Sequence, residues 1–411
     1  MSHAATAAER AVADAHRTEW AYVLAATVRV TRDLDAAQDC VQDAYVAALD
    51  AWARDGVPER PGAWLTTVAR RGALNVLARG RTLAAKLPLL VEPAGAEDDG
   101  HDPDAIPDDR LRLVFICCHP ALAPEAQVAL TLRLVCGVAT PDIAAAFLVS
   151  EPAMAARITR AKKKIAAAGI PYAVPPRAER PARLDAVLTV VHLLSATGHT
   201  APSGDALVRA DLAERALDLA RMLYVLLPAE PEVAGLLALL LVHRARQDGR
   251  ADAAGNIIRL EDQDRATWDR ALIAEADRLV VGALSGEGAP GRYALQAAIA
   301  ALHAAAPAYA QTDWPQILTL YDALLAVWPS PVVALNRAVA LAMVDGPDAG
   351  LAAIAALEDD GRLAGYRYLP ATKADLLSRL GRHEEAASAY RSALALTASG
   401  PERSYLAQRL G

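Results

Sequence analysis

The chain has 411 residues, a formal net charge of −7 and 54% hydrophobic residues, so more than one domain with sizeable cores is expected. Four cysteines, Cys40, Cys117, Cys118 and Cys136, in a chain of this length exclude a disulfide framework. No apolar run approaches the roughly 18–20 residues of a membrane span, and the opening "MSHAATAAERAVADAH" lacks the basic and apolar regions of a signal peptide, so a cytoplasmic, non-membrane protein is expected.

Ala and Leu dominate and Phe occurs only twice, a mixture that favours helices over strands and predicts an all-α fold. In residues 33–53, Leu34, Ala37, Val41, Tyr45, Ala48, Leu49 and Trp52 recur at helical spacing. The opposite face carries Asp35, Gln38, Asp39, Gln42 and Asp43 as a polar, acidic stripe. Asp33 is the predicted N-cap, and Gly56 with Pro58 and Pro61 ends the element. The next helix is written "PGAWLTTVARRGALNVLARGR" (61–81), with Pro61 in its first turn. Its predicted apolar side is Trp64, Leu65, Val68, Leu74 and Leu77. Arg70, Arg71, Arg79 and Arg81 occupy the rest, and the segment contains no acid. A first domain over 10–85 follows.

Residues 88–109 hold eight acids and no Lys or Arg, interrupted by Pro88, Pro93, Pro103, Pro107, Gly95 and Gly100. Such a composition buries too little apolar surface to order itself, so 86–109 reads as an acidic linker. A second domain spans 110–170. "APEAQVALTLRLVCG" (123–137) is one predicted helix, opened by Pro124 and closed by Gly137. "TPDIAAAFLV" (140–149) is a second. Ser150 caps a third, with Glu151 favourable at its positive end. There Met154, Ile158, Ala161 and Ile165 form one buried stripe, leaving Arg157, Thr159, Arg160, Lys162, Lys163 and Lys164 facing out. Short helices, a tight turn and a basic last helix make a helix-turn-helix, which lays its last helix in the major groove of DNA. Arg157 and Arg160 suit guanine edges, and the lysines suit phosphates.

Pro171, Pro175, Pro176 and Pro181 mark a second linker, 171–182. Within the remainder, 183–411, "VAGLLALLLVH" (233–243) reads as a buried core helix. In "LGRHEEAASAYRSALAL", Gly381, Ala386, Tyr390 and Ala393 fall at the small/aromatic spacing of a tetratricopeptide helix pair. "WPQILTLYDALLAVWPSP" (314–331) repeats it loosely, through Ile317, Tyr321, Leu324 and Pro329. Stacked pairs of this kind build an interaction surface.

No catalytic, metal or cofactor constellation emerges. Cys117, Cys118 and His119 are adjacent, whereas structural zinc ligands favour spacings of about two to four residues, so the cysteines read as core. His199, Ser203 and Asp205 lack a nucleophile elbow, and no phosphate-cradling glycine loop is present. An enzyme is not expected.

Together these segments resemble the extracytoplasmic-function sigma factors, in particular the group with a long tetratricopeptide-like C-terminal extension. "DLDAAQDCVQDAYVAALDAWARDGVPERPGAWLTTVAR" is similar to sigma region 2. "IPDDRLRLVFICCHPALAPEAQVALTLRLVCGVATPDIAAAFLVSEPAMAARITRAKKKIAAAGIPY" is similar to region 4. "EDQDRATWDRALI", "QAAIAALHA", "TDWPQILTLYDALL" and "PSPVVALNRAVA" are similar to the extension. The resemblance implies core RNA polymerase and promoter DNA as partners, with no cofactor. Gln38, Asp39, Gln42 and Asp43 would dock on the polymerase clamp. Arg70, Arg71, Asn75, Arg79 and Arg81 would face the −10 element. Arg157, Thr159, Arg160, Lys162, Lys163 and Lys164 would face the −35 element. The acidic linker would thread a basic channel of the polymerase. Residues 183–411 would mask or position the DNA-binding helices by an intramolecular contact, or bind a partner. Two departures stand out. Asn75, Val76 and Ala78 replace charged residues of the family's second region-2 helix, and "SATGH" (195–199) stands where relatives carry Phe-Asn-Glu-Gly-Tyr. The first keeps open an alternative, a sigma-like interaction scaffold with weakened promoter activity.

Overall fold

The computed structural model describes residues 2–86, 109–147, 149–176, 178–199, 210–252, 255–286 and 288–410. The 87–108 part of the acidic linker, and Ser203 and Asp205, lie outside the described residues. The fold is all-helical; among the described residues the only β feature is an isolated bridge between Ala251 and Ile257. No helix of the described residues is long and apolar enough to cross a membrane. The chain forms two compact units, residues 1–190 and 191–411. Residues 10–85 and 110–170, expected as separate domains, thus lie in one unit. The division falls inside a helix rather than in the proline-rich 171–182 segment.

The first unit begins with α1 (Ser2–Thr31), α2 (Leu34–Asp55) and α3 (Pro61–Lys86), which pack against one another. Asp33 caps α2, its Oδ1 accepting from the backbone N of Asp35 (2.8 Å) and Ala36 (2.9 Å). Gly56 then leaves the helix at φ +88, a conformation that glycine adopts without a Cβ penalty. The core face of α2 is Leu34, Ala37, Val41, Ala44, Tyr45, Ala48 and Trp52. Leu49, expected inside, is exposed. On α3 the buried line is Leu65, Ala69 and Ala73. Leu74, also expected inside, is 59% exposed. The buried positions of this helix are instead mostly small, Ala69 and Ala73 following Leu65, and a Cβ on Gly72 would sit in ordinary contact, 3.6 Å from the Cys40 side chain.

α4 (Asp109–Cys117) and α5 (Pro124–Leu130) lead into a π-helical turn over Thr131–Val135. The single helix expected over 123–137 therefore widens into a π turn before Gly137. α6 (Thr140–Ala146) and α7 (Glu151–Ala167) complete the helix-turn-helix. Ser150 caps α7 by accepting from Ala153 N (3.4 Å), and Met154, Ile158, Ala161 and Ile165 are its buried stripe, as the spacing predicts. Cys117 and Cys118 are core residues; burial pushes the Cys118 thiol up to about 12.

α8 (Arg180–His199) carries the boundary between the units. In the second unit α9 (Ala210–Leu226), α11 (Arg270–Leu284) and α12 (Arg292–Ala305) pack around α10 (Pro231–Ala245). α10 is buried continuously from Val233 to Val242, the core helix that "VAGLLALLLVH" predicts. It meets α12 at Gly235, where a Cβ would lie 2.5 Å from Ala294 N. Glu232 of α10 caps α12 from outside, accepting from Tyr293 N and Ala294 N at 3.0 Å each. α13 (Trp314–Val327), α14 (Pro331–Val344), α15 (Pro347–Asp360), α16 (Tyr368–Arg379), α17 (His383–Ala395) and α18 (Gly400–Gln408) then follow, each packed on its predecessor. Ala386, Tyr390 and Ala393 are buried together against Ala374 and Leu377 of α16. Gly381, at φ +73, makes the turn between α16 and α17.

Candidate nucleic-acid and protein interfaces

The face of α2 opposite its core presents Asp39, Gln42 and Asp43 to solvent. The same stripe continues through Val46, 62% exposed, and Asp50, with Leu49 at its edge. Acids interleaved with exposed aliphatic side chains suit a protein partner better than a purely solvated face. Neither Val46 nor Leu49 is among the expected contact residues: the helical pattern places Leu49 in the core and gives Val46 no role.

Gln38 departs from the expected stripe: it is 6% exposed. Its Oε1 accepts from Lys162 Nζ at 2.8 Å, and the same ammonium lies 2.6 Å from Asp35 Oδ1. The Lys162 side chain is 11% exposed, so it does not face out with its neighbours. α7 is close enough to α2 at this point to cover it, and a buried ammonium needs a carboxylate and an amide oxygen as partners. One expected DNA contact and one expected polymerase contact are thereby joined to each other.

Three further contacts hold the helix-turn-helix against α1 and its neighbours. Trp20 Nε1 donates to Leu134 O (3.0 Å), Tyr172 OH donates to Ala25 O (3.0 Å), and Arg29 pairs with Asp109 (3.4 Å). Gly137 sits at φ +68 directly under α1: a Cβ there would be 2.9 Å from His16 and 3.0 Å from Trp20.

On α3, Arg70, Arg71, Asn75 and Arg79 are all exposed, with Arg71, Asn75 and Arg79 at i, i+4 and i+8 on one side. The side chain of Arg81 lies outside the described residues. Leu74 projects from the middle of this basic face, and Val76 is exposed beside it. Cationic side chains around an exposed apolar one suit both the backbone and the faces of unstacked bases. On α7, Thr159, Arg160, Lys163 and Lys164 are exposed and Arg157 is half-buried. No acid lies on α7 after Glu151, so nothing on the helix itself neutralises this surface. It is the face that a helix-turn-helix turns to DNA.

Comparison with known proteins agrees with these features. Residues 20–82 match the family described as Sigma-70 region 2, and residues 112–165 match Sigma-70, region 4. Residues 183–284 match a family described as "Family of unknown function (DUF6596)". A protein of Rhizobium meliloti (strain 1021), itself described as uncharacterized, is 44% identical over 392 residues, covering 94% of this chain and 92% of its own length. No solved structure matches. With both sigma regions matched on the helices that carry the basic faces, and a helical unit following them, the chain belongs to the extracytoplasmic-function-like sigma factors with a C-terminal extension.

Proposed function

We propose that the first unit binds core RNA polymerase through the exposed α2 face and directs promoter-specific initiation, α3 engaging the −10 element and α7 the −35 element. Residues 191–411 regulate this activity or bind a partner. The observation that carries the reading is the segregation of faces. An acidic and aliphatic surface lies on α2, while α3 and α7 carry exposed cations and, apart from Glu151, no acid of their own. Arg70, Arg71, Asn75 and Arg79 hold the melted strand, Arg157, Thr159 and Arg160 read base edges, and Lys163 and Lys164 add phosphate affinity. Lys162 joins them once its contact with Asp35 and Gln38 has parted, because the two faces it ties together have different partners.

Transcription in vitro with purified core polymerase and a promoter library tests this. Defined transcripts are expected, and reversing Arg70 and Arg71 to Glu should abolish them while polymerase binding survives. The second reading, a sigma-like scaffold, draws on Asn75, Val76 and Ala78 standing where the resemblance implies charged residues, with Val76 exposed. Polymerase binding without a transcript from any promoter would favour it.

A further inference from the structure

The second unit holds a half-open cavity of about 220 Å³ where α8, α10, α12, α13 and α14 converge. One part of its wall is aliphatic: Leu239, Ile299, Ala300, Leu324 and Val333. The other part carries His192, His243, Arg246 and His303, with the amides Gln296 and Asn336. Among the described residues no carboxylate lines it.

Three polar atoms on this wall lack a hydrogen-bond partner. Arg246 Nε, His192 Nδ1 and His303 Nδ1 are sealed from solvent without a hydrogen-bond acceptor or donor opposite them. The guanidinium of Arg246 lies 5.0 Å from the centre of the Trp268 ring, which Arg265 also approaches at 4.7 Å. Arg265 spends one nitrogen on His303 O and Ala306 O, at 2.6 Å each, and leaves Nη2 unpartnered. The charged groups that Arg246 feels are Arg250 and Arg265, both repulsive. Burial, and then Arg250 and Arg265, bring Arg246 down to about 10; burial holds His192 and His303 at about 4, with Arg292 adding to it at His192 and Arg246 and Arg265 at His303. A guanidinium with a buried, orphaned donor and cationic neighbours, offset only by the Trp268 ring, is costly for a fold to keep. A bound anion would remove that cost, and the cavity supplies room for one.

We propose that this cavity is a binding site for a small carboxylate with an apolar body, the carboxylate on Arg246 and the body against Leu239, Ile299, Leu324 and Val333. A monoanion matches one guanidinium beside neutral imidazoles, whose Nδ1 atoms complete its hydrogen bonds. A phosphate dianion would find too little positive charge and would leave the aliphatic wall unused. The site lies wholly within 191–411 and does not depend on promoter activity.

Isothermal titration of the full chain with benzoate, 3-phenylpropionate and hexanoate tests it, with benzamide as the neutral counterpart of benzoate and inorganic phosphate as the polar one. At least one carboxylate should bind one to one. Benzamide should bind at least tenfold more weakly, a difference of about 1.4 kcal/mol. Arg246→Gln should weaken the carboxylate at least tenfold. Ala300→Leu, which fills the cavity and leaves the charges alone, should do the same and serves if Arg246→Gln does not fold. Binding of none of the carboxylates, equal binding of benzamide, preference for phosphate, or unchanged affinity in a folded variant would each overturn the proposal.

Discussion

At the scale of single residues, the buried histidines set a pH response. Burial is the first cause of the low values of His192 and His303, both about 4, and of His243, about 3; neighbouring arginines add to it. A histidine depressed in the fold is neutral there and takes up its proton on unfolding. Its contribution is therefore complete above the unfolded value of about 6.5 and is lost as pH falls towards about 4. Each of the two histidines near 4 should cost about 2 kcal/mol of stability between about pH 7.5 and about pH 5. Denaturant unfolding followed by tryptophan fluorescence should show the second unit weakening across this range; an unchanged midpoint would contradict the burial of these rings. The sequence reports none of this, because His192, His243 and His303 are far apart in the chain.

At the scale of helices, α7 divides its work between faces. Arg157→Ala should change which −35 sequences support transcription, while Lys163→Ala should weaken all sequences alike and lower the salt slope by about 1. Promoter selection and binding at two salt concentrations separate these outcomes. The seat of the helix-turn-helix on α1 rests on Gly137. Ala there meets His16 and Trp20 and must hold φ +68, so a loss of about 1–3 kcal/mol is expected from strain and overpacking. A lower denaturation midpoint with unchanged helical content checks it. Among these elements, the caps and the buried stripe of α7 were legible, since Asp33, Ser150 and the spacing of Met154, Ile158, Ala161 and Ile165 are local signals. The placing of Leu74 outside was not. It depends on which face of α3 packs against α1 and α2, and no single-helix pattern encodes that.

At the scale of the molecule, the boundary between the units decides where the chain can be cut. Arg183 Nη2 donates to Phe115 O at 2.7 Å, and Leu184, Val187 and Leu188 are buried. All four residues belong to the first unit. A chain ending at residue 190 should therefore fold and serve as the test of what 191–411 contributes to promoter activity. One ending at residue 180 loses this half of α8 and should be less stable by about 2–5 kcal/mol or more. Thermal melts of the two proteins side by side give the comparison, and equal midpoints would place the boundary earlier.

What the sequence by itself determined was everything carried by local pattern. That includes the all-helical class, the starts of α2 and α7, the burial of α10 and of Cys117 and Cys118, and the basic character of α3 and α7. Helical periodicity and caps are short-range, so a linear reading recovers them. Only the tertiary structure decided that Lys162 turns from its basic neighbours to Asp35 and Gln38, more than a hundred residues away. It alone gathered Arg246 and three histidines around one aliphatic cavity. Both outcomes follow from the same cause. A charge that packing covers must find whatever partner the fold brings near it, and that partner's identity is a property of the assembled helices.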